Sequence, residues 1–300
     1  MWFEPAPIDS LVELVPPWLA LLLALLSFLG SAALLTPLLV VWYAVKPRER
    51  VLAWIGLLFS AFALRAFLKG LNDIPRPTAE PTVDLSNLPW FLEPLYRHPV
   101  GIDTTGFPSG HMVAAIVFWG ILAVDVTYGT RTQRGVIAAV IVSIVAITRL
   151  FLGAHWTADI VVGAGIGILL LIVFLWGRAV VGDSVVFAFG LAGTIGGIDL
   201  LVVGTLSGHA VFAAAWGLFV GLAIQSWFDW PATSSIDPRS GALATIAVIA
   251  GIVALGVSVA AGSFTAPILL VVCPVVALAI HWHPARLKTL QRPSPAIDGR

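Results

Sequence analysis

Residues 157–177 read TADIVVGAGIGILLLIVFLWG, and Asp159, near the beginning, is the one charged residue among them. A helix needs about 20 mainly apolar residues to cross the hydrocarbon core of a bilayer. This stretch is long enough, and apolar on all sides rather than on one stripe, as expected of a helix surrounded by lipid and other helices. It therefore predicts a transmembrane helix.

The same character recurs along the chain, in which 59% of residues are hydrophobic and 11% are charged, with a mean hydropathy of +0.99. Soluble domains carry about 25% charged residues. The sequence therefore predicts an all-α, polytopic integral membrane helix bundle with about nine transmembrane helices. Besides 157–177, the predicted spans are 18–45, 51–69, 110–128, 135–152, 184–206, 210–228, 242–262 and 264–282.

Two details concern individual spans. The first span is long enough to tilt or break, and Pro37 lies within it. The fifth contains Gly163 and Gly167, a spacing that favours close contact between two helices.

Basic residues predict the orientation. Residues 1–17 contain no Lys or Arg, whereas Lys46, Arg48 and Arg50 follow the first span. Because basic loops stay in the cytoplasm, we expect residues 46–50 and the C-terminus to be cytoplasmic and the N-terminus to be extracytoplasmic, in the cell membrane. The predicted organisation is an N-terminal segment (1–17), a core of five spans that carries the site (18–182), additional transmembrane helices (183–282) and a cytoplasmic tail (283–300).

Charge and cysteine content exclude several functions. The formal net charge is zero, so nothing favours a nucleic-acid partner. The chain has one cysteine, Cys273, which excludes an intramolecular disulfide and a cysteine-based metal cluster. The predicted partners are the lipid bilayer and a lipid substrate.

Three polar segments lie at the ends of spans two to five. They are Lys69-Gly-Leu-Asn-Asp-Ile-Pro-Arg76, then Ser109-Gly110-His111, then Arg149-x5-His155-x3-Asp159. Because successive spans alternate in direction, all three segments are expected at the outer face of the membrane.

The residue types in these segments predict an oxyanion site. Three cations, Lys69, Arg76 and Arg149, favour phosphate, and arginine grips it bidentately. Ser109 and Gly110 precede a helix, where free backbone N–H groups attract an anion. The cluster holds few carboxylates, whereas Mg²⁺ and Ca²⁺ prefer several oxygen ligands. We therefore expect no metal and no cofactor.

Two histidines complete the predicted chemistry. His155 and Asp159 are four residues apart, which on a helix places them on one face. The carboxylate would hold one imidazole nitrogen as N–H and leave the other as a nucleophile. His111 comes from another span and is available as a proton donor.

In their order and spacing, these motifs resemble the type 2 phosphatidic acid phosphatase superfamily over roughly residues 51–180. The family usually has Ser where this chain has Thr148, which keeps a hydroxyl. The resemblance implies a membrane phosphatase acting on a lipid phosphate or polyprenyl diphosphate. With the scarcity of carboxylates and the orientation above, we expect it to act without a metal at the extracytoplasmic face. The resemblance also implies that Lys69, Arg76, Ser109, Gly110 and Arg149 bind phosphate. It further implies that His155 attacks phosphorus to form a phosphohistidine and that Asp159 orients it. His111 would protonate the leaving group.

Several alternatives stay open on sequence alone. Arg65 either reaches the lipid headgroups or lines the entrance to the site, and the buried Asp199 either pairs with Arg65 or with a polar neighbour. The loop 71–107 is either an interfacial belt or a lid. The rival functions are a non-catalytic lipid or phosphate transporter, favoured by the additional spans, and a phosphatase for a soluble sugar phosphate.

Overall fold

The computed structural model describes residues 5–45, 49–72, 74–77, 82–90, 92–100, 105–206, 208–212 and 215. Within these residues the regular secondary structure is helical and contains no strand. The α-helices are α1 (Pro5–Glu13), α2 (Pro17–Ser27), α3 (Ala32–Val45), α4 (Glu49–Leu71), α5 (Glu93–Val100), α6 (Gly110–Asp125), α7 (Arg131–Phe151), α8 (Thr157–Val181) and α9 (Ser184–Val202).

Four of these helices, α4, α7, α8 and α9, are long and apolar enough to cross a membrane. Helices α2 and α3 form a pair bent by 49°, which makes a fifth span if it crosses as one unit. Helix α6 is apolar but has 16 residues. The all-α class is confirmed for the described residues, whereas the predicted count of nine spans is not. Of the last three predicted spans, all but residues 210–212 and 215 lie outside the described residues.

The first span, which its length allowed to tilt or break, breaks at Ser31, and Pro37 lies inside α3. A 3₁₀ turn, Phe28–Gly30, ends α2, and Ser31 is extended with φ −92° and ψ 136°. The Ser31 hydroxyl accepts a hydrogen bond from the Ala33 N–H at 3.2 Å and so caps α3. Gly30 packs so closely on α6 that a Cβ would lie 2.6 Å from the His111 carbonyl oxygen. Close packing and a cap thus determine the break.

Helix α4 is the centre of the bundle. About two-thirds of the residues in its most apolar segment are buried, whereas the corresponding share for α7 is 22%. It packs against α3, α6 and α9. Small residues permit this contact: a Cβ on Gly56 would lie 2.8 Å from the Phe189 ring, and the buried Ser60 hydroxyl donates to the Gly56 carbonyl at 3.0 Å. The outward faces of α7 and α8 keep large apolar side chains exposed, as a lipid-facing surface requires.

The end of the bundle away from the polar segments is held by an ion pair between α6 and α8. Both guanidinium Nη atoms of Arg178 contact the Asp125 carboxylate, at 2.8 and 2.9 Å. The Trp54 indole of α4 donates to the same carboxylate at 2.9 Å. The bidentate pair joins α6 to α8, and the indole hydrogen bond joins α4 to both, so the ends of three helices are fixed relative to one another.

Gly163 and Gly167 form the contact between α8 and α6, as their spacing predicted. A Cβ on Gly163 would lie 2.7 Å from the Ser109 carbonyl oxygen, and one on Gly167 would lie 3.1 Å from that of Val113. No atom lies within 4 Å of the Cβ position at Gly165. The two glycines of α8 therefore let the N-terminal end of α6 approach α8 backbone to backbone.

Gly163→Ala should destabilise the protein by about 1–3 kcal/mol, because the added methyl group overlaps backbone that cannot rotate away. Gly165→Ala is the matched control on the same helix and should keep the wild-type Tm. Thermal unfolding in detergent measures both. Equal Tm values for the two variants would mean that the α6–α8 contact is looser than described.

Candidate active site

The structure brings the three polar segments to one end of the bundle. Lys69 lies in the last turn of α4, and Arg76 follows in the linker after it. Ser109 is the N-cap of α6. Arg149 lies in the last turn of α7, and Asp159 in the first turn of α8. Hydrogen bonds connect the segments to one another, as the alternation of spans predicted.

His155 and Asp159 form the clearest contact of the site. His155 Nδ1 is 2.9 Å from Asp159 Oδ2, and both residues are almost completely buried. The same carboxylate oxygen accepts from the Trp156 N–H at 3.0 Å. The spacing suggested that His155 and Asp159 share a helical face, and this was wrong. His155 lies in the linker just before α8. The contact forms because Asp159 turns back to cap the start of its own helix.

This arrangement fixes the protonation of the His155 ring. An ionised carboxylate only accepts hydrogen bonds, so Nδ1 carries the proton and Nε2 keeps its lone pair. Burial, and next the charge of Arg76, lower the pKa of His155 well below 6.5. The imidazole is therefore neutral at pH 7, and Nε2 lies 3.5 Å from Arg76 Nη1. A neutral imidazole beside a guanidinium is suited to attack an anion held by that guanidinium.

Arg76 is held by backbone carbonyl groups. Its Nη1 donates to the Ala154 carbonyl at 2.5 Å and lies 3.4 Å from that of Val100, at the end of α5. Burial, with a further contribution from Arg65, lowers the pKa of Arg76 to about 10. The side chain is still charged at neutral pH. Lys69 donates in the same way to the Thr105 carbonyl.

Arg149 is fully buried and is bound from two directions. Its Nη1 donates to the Ser27 hydroxyl of α2 at 2.6 Å, and its Nη2 donates to the Pro99 carbonyl of α5. Its Nε has no hydrogen-bond partner among the described residues. The break in the first span and helix α5 thus position this arginine together.

The N-terminal end of α6 contributes three predicted residues. The Ser109 N–H donates to the Asp159 carbonyl at 3.0 Å, which ties this end of α6 to α8. Gly110 leaves the space that the Arg65 side chain occupies, because a Cβ at this position would overlap Arg65 Cδ and Nε. His111 occupies the next position of α6, whose N-terminal end faces the cluster.

Several buried polar atoms of this cluster have no hydrogen-bond partner within the described part of the chain. They are Ser109 Oγ, His111 Nε2, Arg149 Nε and Asp159 Oδ1. Buried polar groups are normally paired, so unpaired ones of this kind mark a place where a polar ligand fits. Three of the four can donate a hydrogen bond, which favours an anion with several oxygen atoms.

Sequence reasoning missed part of this site. It left Arg65 between two roles, and the structure places it against Gly110. It did not find the carbonyl groups that hold the arginines, because backbone contacts leave no signal in residue types. It also did not find Ser27, whose hydroxyl lies outside the three motifs. The Thr148 hydroxyl donates to the Val145 carbonyl at 2.7 Å, within its own helix. Asp199 accepts from Thr205 at 2.8 and 3.0 Å, at the end of α9, rather than from Arg65.

Metal ligands are not grouped in the described residues: no set of three or more His, Cys, Asp or Glu side chains there is arranged to hold an ion. The charged groups of the site are mainly cationic. The arrangement can bind a phosphoryl group and present a neutral imidazole to it.

The family comparison agrees with this geometry. Residues 50–181 match the model of the PAP2 superfamily. This part of the chain is a PAP2 superfamily domain. Comparison with curated proteins and with solved structures finds no match.

The PAP2 domain contains all eight predicted site residues, from Lys69 to Asp159, and it spans α4 to the end of α8. PAP2 is a phosphatase family, and the match therefore supports the interpretation of this protein as a phosphoric ester hydrolase. Helix α9 follows the PAP2 domain and packs along α4 and α8. Helices α2 and α3 precede it, and α2 contributes Ser27 to the site.

Proposed function

We propose that this protein is a metal-independent membrane phosphatase that hydrolyses a lipid phosphate or a polyprenyl diphosphate through a phosphohistidine. Support comes chiefly from the 2.9 Å contact between His155 Nδ1 and Asp159, which leaves Nε2 as a nucleophile 3.5 Å from Arg76. The PAP2 domain, whose family comprises phosphatases, supports the same class of reaction.

In the proposed reaction, Lys69, Arg76 and Arg149 bind the phosphoryl oxygens together with Ser109 and the backbone N–H of Gly110. Their charges stabilise the equatorial oxygens in the transition state, a task that a metal ion performs in other phosphatases.

His155 Nε2 attacks phosphorus and the P–O bond to the leaving group breaks. Asp159 stabilises the positive imidazole that forms. His111 donates a proton to a departing alkoxide. Water then attacks the phosphohistidine, which releases phosphate and restores the neutral imidazole.

A lipid substrate is supported by the length of α6. Its 16 residues extend about 24 Å, whereas the hydrocarbon core is about 30 Å thick. If Asp125 and Arg178 lie at one membrane boundary, the N-terminal end of α6 lies several ångströms inside the other. A site at this depth suits a phosphate carried by a lipid at the interface. The distribution of basic residues in the sequence supports the extracytoplasmic side.

The transporter considered as a rival from sequence drew on residues 184–282, most of which lie outside the described residues. No described contact favours it. The soluble sugar phosphate is retained as one arm of the test.

Phosphate release by purified protein in detergent tests the proposal. Phosphatidic acid, a polyprenyl diphosphate and glucose 6-phosphate would be compared by kcat/KM in EDTA, with and without orthovanadate. We expect the lipids to be hydrolysed in EDTA, with vanadate inhibiting because it adopts the geometry of the transition state. In sealed vesicles with the extracytoplasmic face outward, a membrane-impermeant phosphate ester should be hydrolysed without detergent.

The His155→Ala protein, prepared in parallel, controls for contaminating phosphatases. Activity that disappears in EDTA and returns with Mg²⁺ would contradict metal independence. Glucose 6-phosphate as the best substrate would contradict a lipid substrate, and hydrolysis only after vesicles are opened would contradict the orientation.

A further inference from the structure

Arg65 is a cation that the three motifs do not include. It lies on α4 one turn before Lys69, so both side chains leave the same face of the helix. Its Cδ and Nε occupy the space beside Gly110 that any other residue at position 110 would fill. Arg65 therefore lies against the N-terminal end of α6, next to His111.

No carboxylate within the described ranges pairs with Arg65. The described ion pairs join Arg97 to Glu93, His155 to Asp159 and Arg178 to Asp125. The charge of Arg65 instead repels a neighbouring cation. After burial, repulsion by Arg65 is the largest cause of the lowered pKa of Arg76. A guanidinium beside a helix N-terminus and other cations is unfavourable unless an anion joins them.

The cluster has more positive charge than a phosphate monoester needs. Arg65, Lys69, Arg76 and Arg149 are cationic, and the carboxylate described within the site is Asp159, which contacts His155 and the Trp156 N–H. A phosphate monoester carries about two negative charges near neutral pH, and a diphosphate carries about one more. The fourth cation thus matches the additional charge of a diphosphate.

The position of Arg65 indicates which phosphoryl group it meets. Arg65 lies against Gly110, which directly precedes His111, the residue that protonates the leaving group in the proposed reaction, whereas the attacking His155 Nε2 lies 3.5 Å from Arg76 Nη1. We propose that Arg65 binds the leaving phosphoryl group of a lipid diphosphate and so selects diphosphates over monoesters. This inference rests on the proposed phosphatase function.

The two leaving groups make different demands. With a diphosphate, His155 Nε2 forms a bond to the terminal phosphorus and the bridging P–O bond breaks. The electron pair goes to the bridging oxygen, and the product is a lipid monophosphate whose new charge Arg65 neutralises. With a monoester, the electron pair goes to an alkoxide, which needs the proton of His111. Arg65 and His111 thus serve different substrates.

The test compares Arg65→Gln and His111→Ala on a polyprenyl diphosphate and on phosphatidic acid. Arg65→Gln should lower kcat/KM for the diphosphate at least about tenfold more than for phosphatidic acid, as expected for loss of one charge-assisted hydrogen bond. His111→Ala should show the opposite preference. Arg97→Gln, which removes an exposed arginine from α5 at the same end of the bundle, is the matched control and should resemble the wild type.

Equal losses on both substrates, or no loss, in Arg65→Gln would overturn the inference while leaving the phosphatase function intact. A wild type that hydrolyses neither lipid would instead contradict the proposed function. A second measurement needs no turnover: inorganic pyrophosphate should raise the Tm of the wild type more than orthophosphate at the same concentration, and this difference should shrink in Arg65→Lys, which keeps the charge but loses the fork. An equal rise with both anions in the wild type would contradict a second phosphoryl site.

Discussion

Replacing His155 with alanine is expected to reduce lipid phosphate hydrolysis to background, a loss on the order of 10⁶-fold if removal of the nucleophile is as costly as in other enzymes that form covalent intermediates. No other described histidine combines a carboxylate partner on Nδ1 with an Nε2 next to Arg76. Phosphate release under saturating substrate measures the effect.

The fold should survive this change. Asp159 keeps its hydrogen bond from the Trp156 N–H, so the start of α8 remains capped. His209→Ala, which removes a half-buried histidine near the end of α9, is the control and should keep full activity. Turnover of His155→Ala within tenfold of the wild type would assign the attack to another group.

Asp159→Asn should be the second most damaging substitution, lowering kcat by about 10²–10⁴-fold with little change in KM. The amide keeps an oxygen that accepts from the Trp156 N–H. It loses the charge that stabilises the positive imidazole during attack, and it permits the wrong tautomer of His155. Steady-state kinetics separate the effect on kcat from that on KM.

A capping aspartate elsewhere in the chain provides the matched control. Asp183 is the N-cap of α9 and accepts from the Val185 and Val186 N–H groups, outside the three motifs of the site. Asp183→Asn and Asp159→Asn should both cost little stability, because an asparagine oxygen caps a helix about as well as that of aspartate. If Asp183→Asn lost turnover as severely, the defect at Asp159 would be one of folding rather than of catalysis.

Residue type and spacing predicted most of the site because its chemistry is carried by side chains. Lys69, Arg76, Arg149, His155 and Asp159 stand out in an apolar chain, since charge inside a membrane is costly and is kept where it has a partner or a task. The alternation of spans then placed their segments at one end of the bundle. Hydropathy predicted the long helices for a similar reason, because a lipid-facing helix needs an uninterrupted apolar surface.

The missed features depend on packing rather than on residue type. The break at Ser31 follows from the approach of Gly30 to the His111 carbonyl, which is a contact between distant segments. Pro37, the local feature that the sequence offered within this span, lies inside α3. Contacts of Arg76 and Arg149 with the carbonyl groups of α5 are likewise invisible in sequence, since every residue has such a group.

The ion pair between Asp125 and Arg178 shows the same limit. Asp125 and Arg178 are 53 residues apart, and neither lies in a motif. Their pairing follows from the packing of α6 on α8, which Gly163 and Gly167 make close. Sequence showed that the two glycines favour a helix contact, but not which helix they meet.

Trapping of the phosphorylated enzyme tests the central claim most directly. Wild-type protein would be mixed with lipid substrate labelled with ³²P in the reacting phosphoryl group, quenched in alkaline detergent within the first turnover, and digested for mass spectrometry of the peptide that contains His155. The account predicts label on His155 that is stable in alkali and lost in acid, as a phosphoramidate bond requires, and no label in His155→Ala. Label on another residue, or rapid turnover with no labelled protein in the wild type, would contradict it.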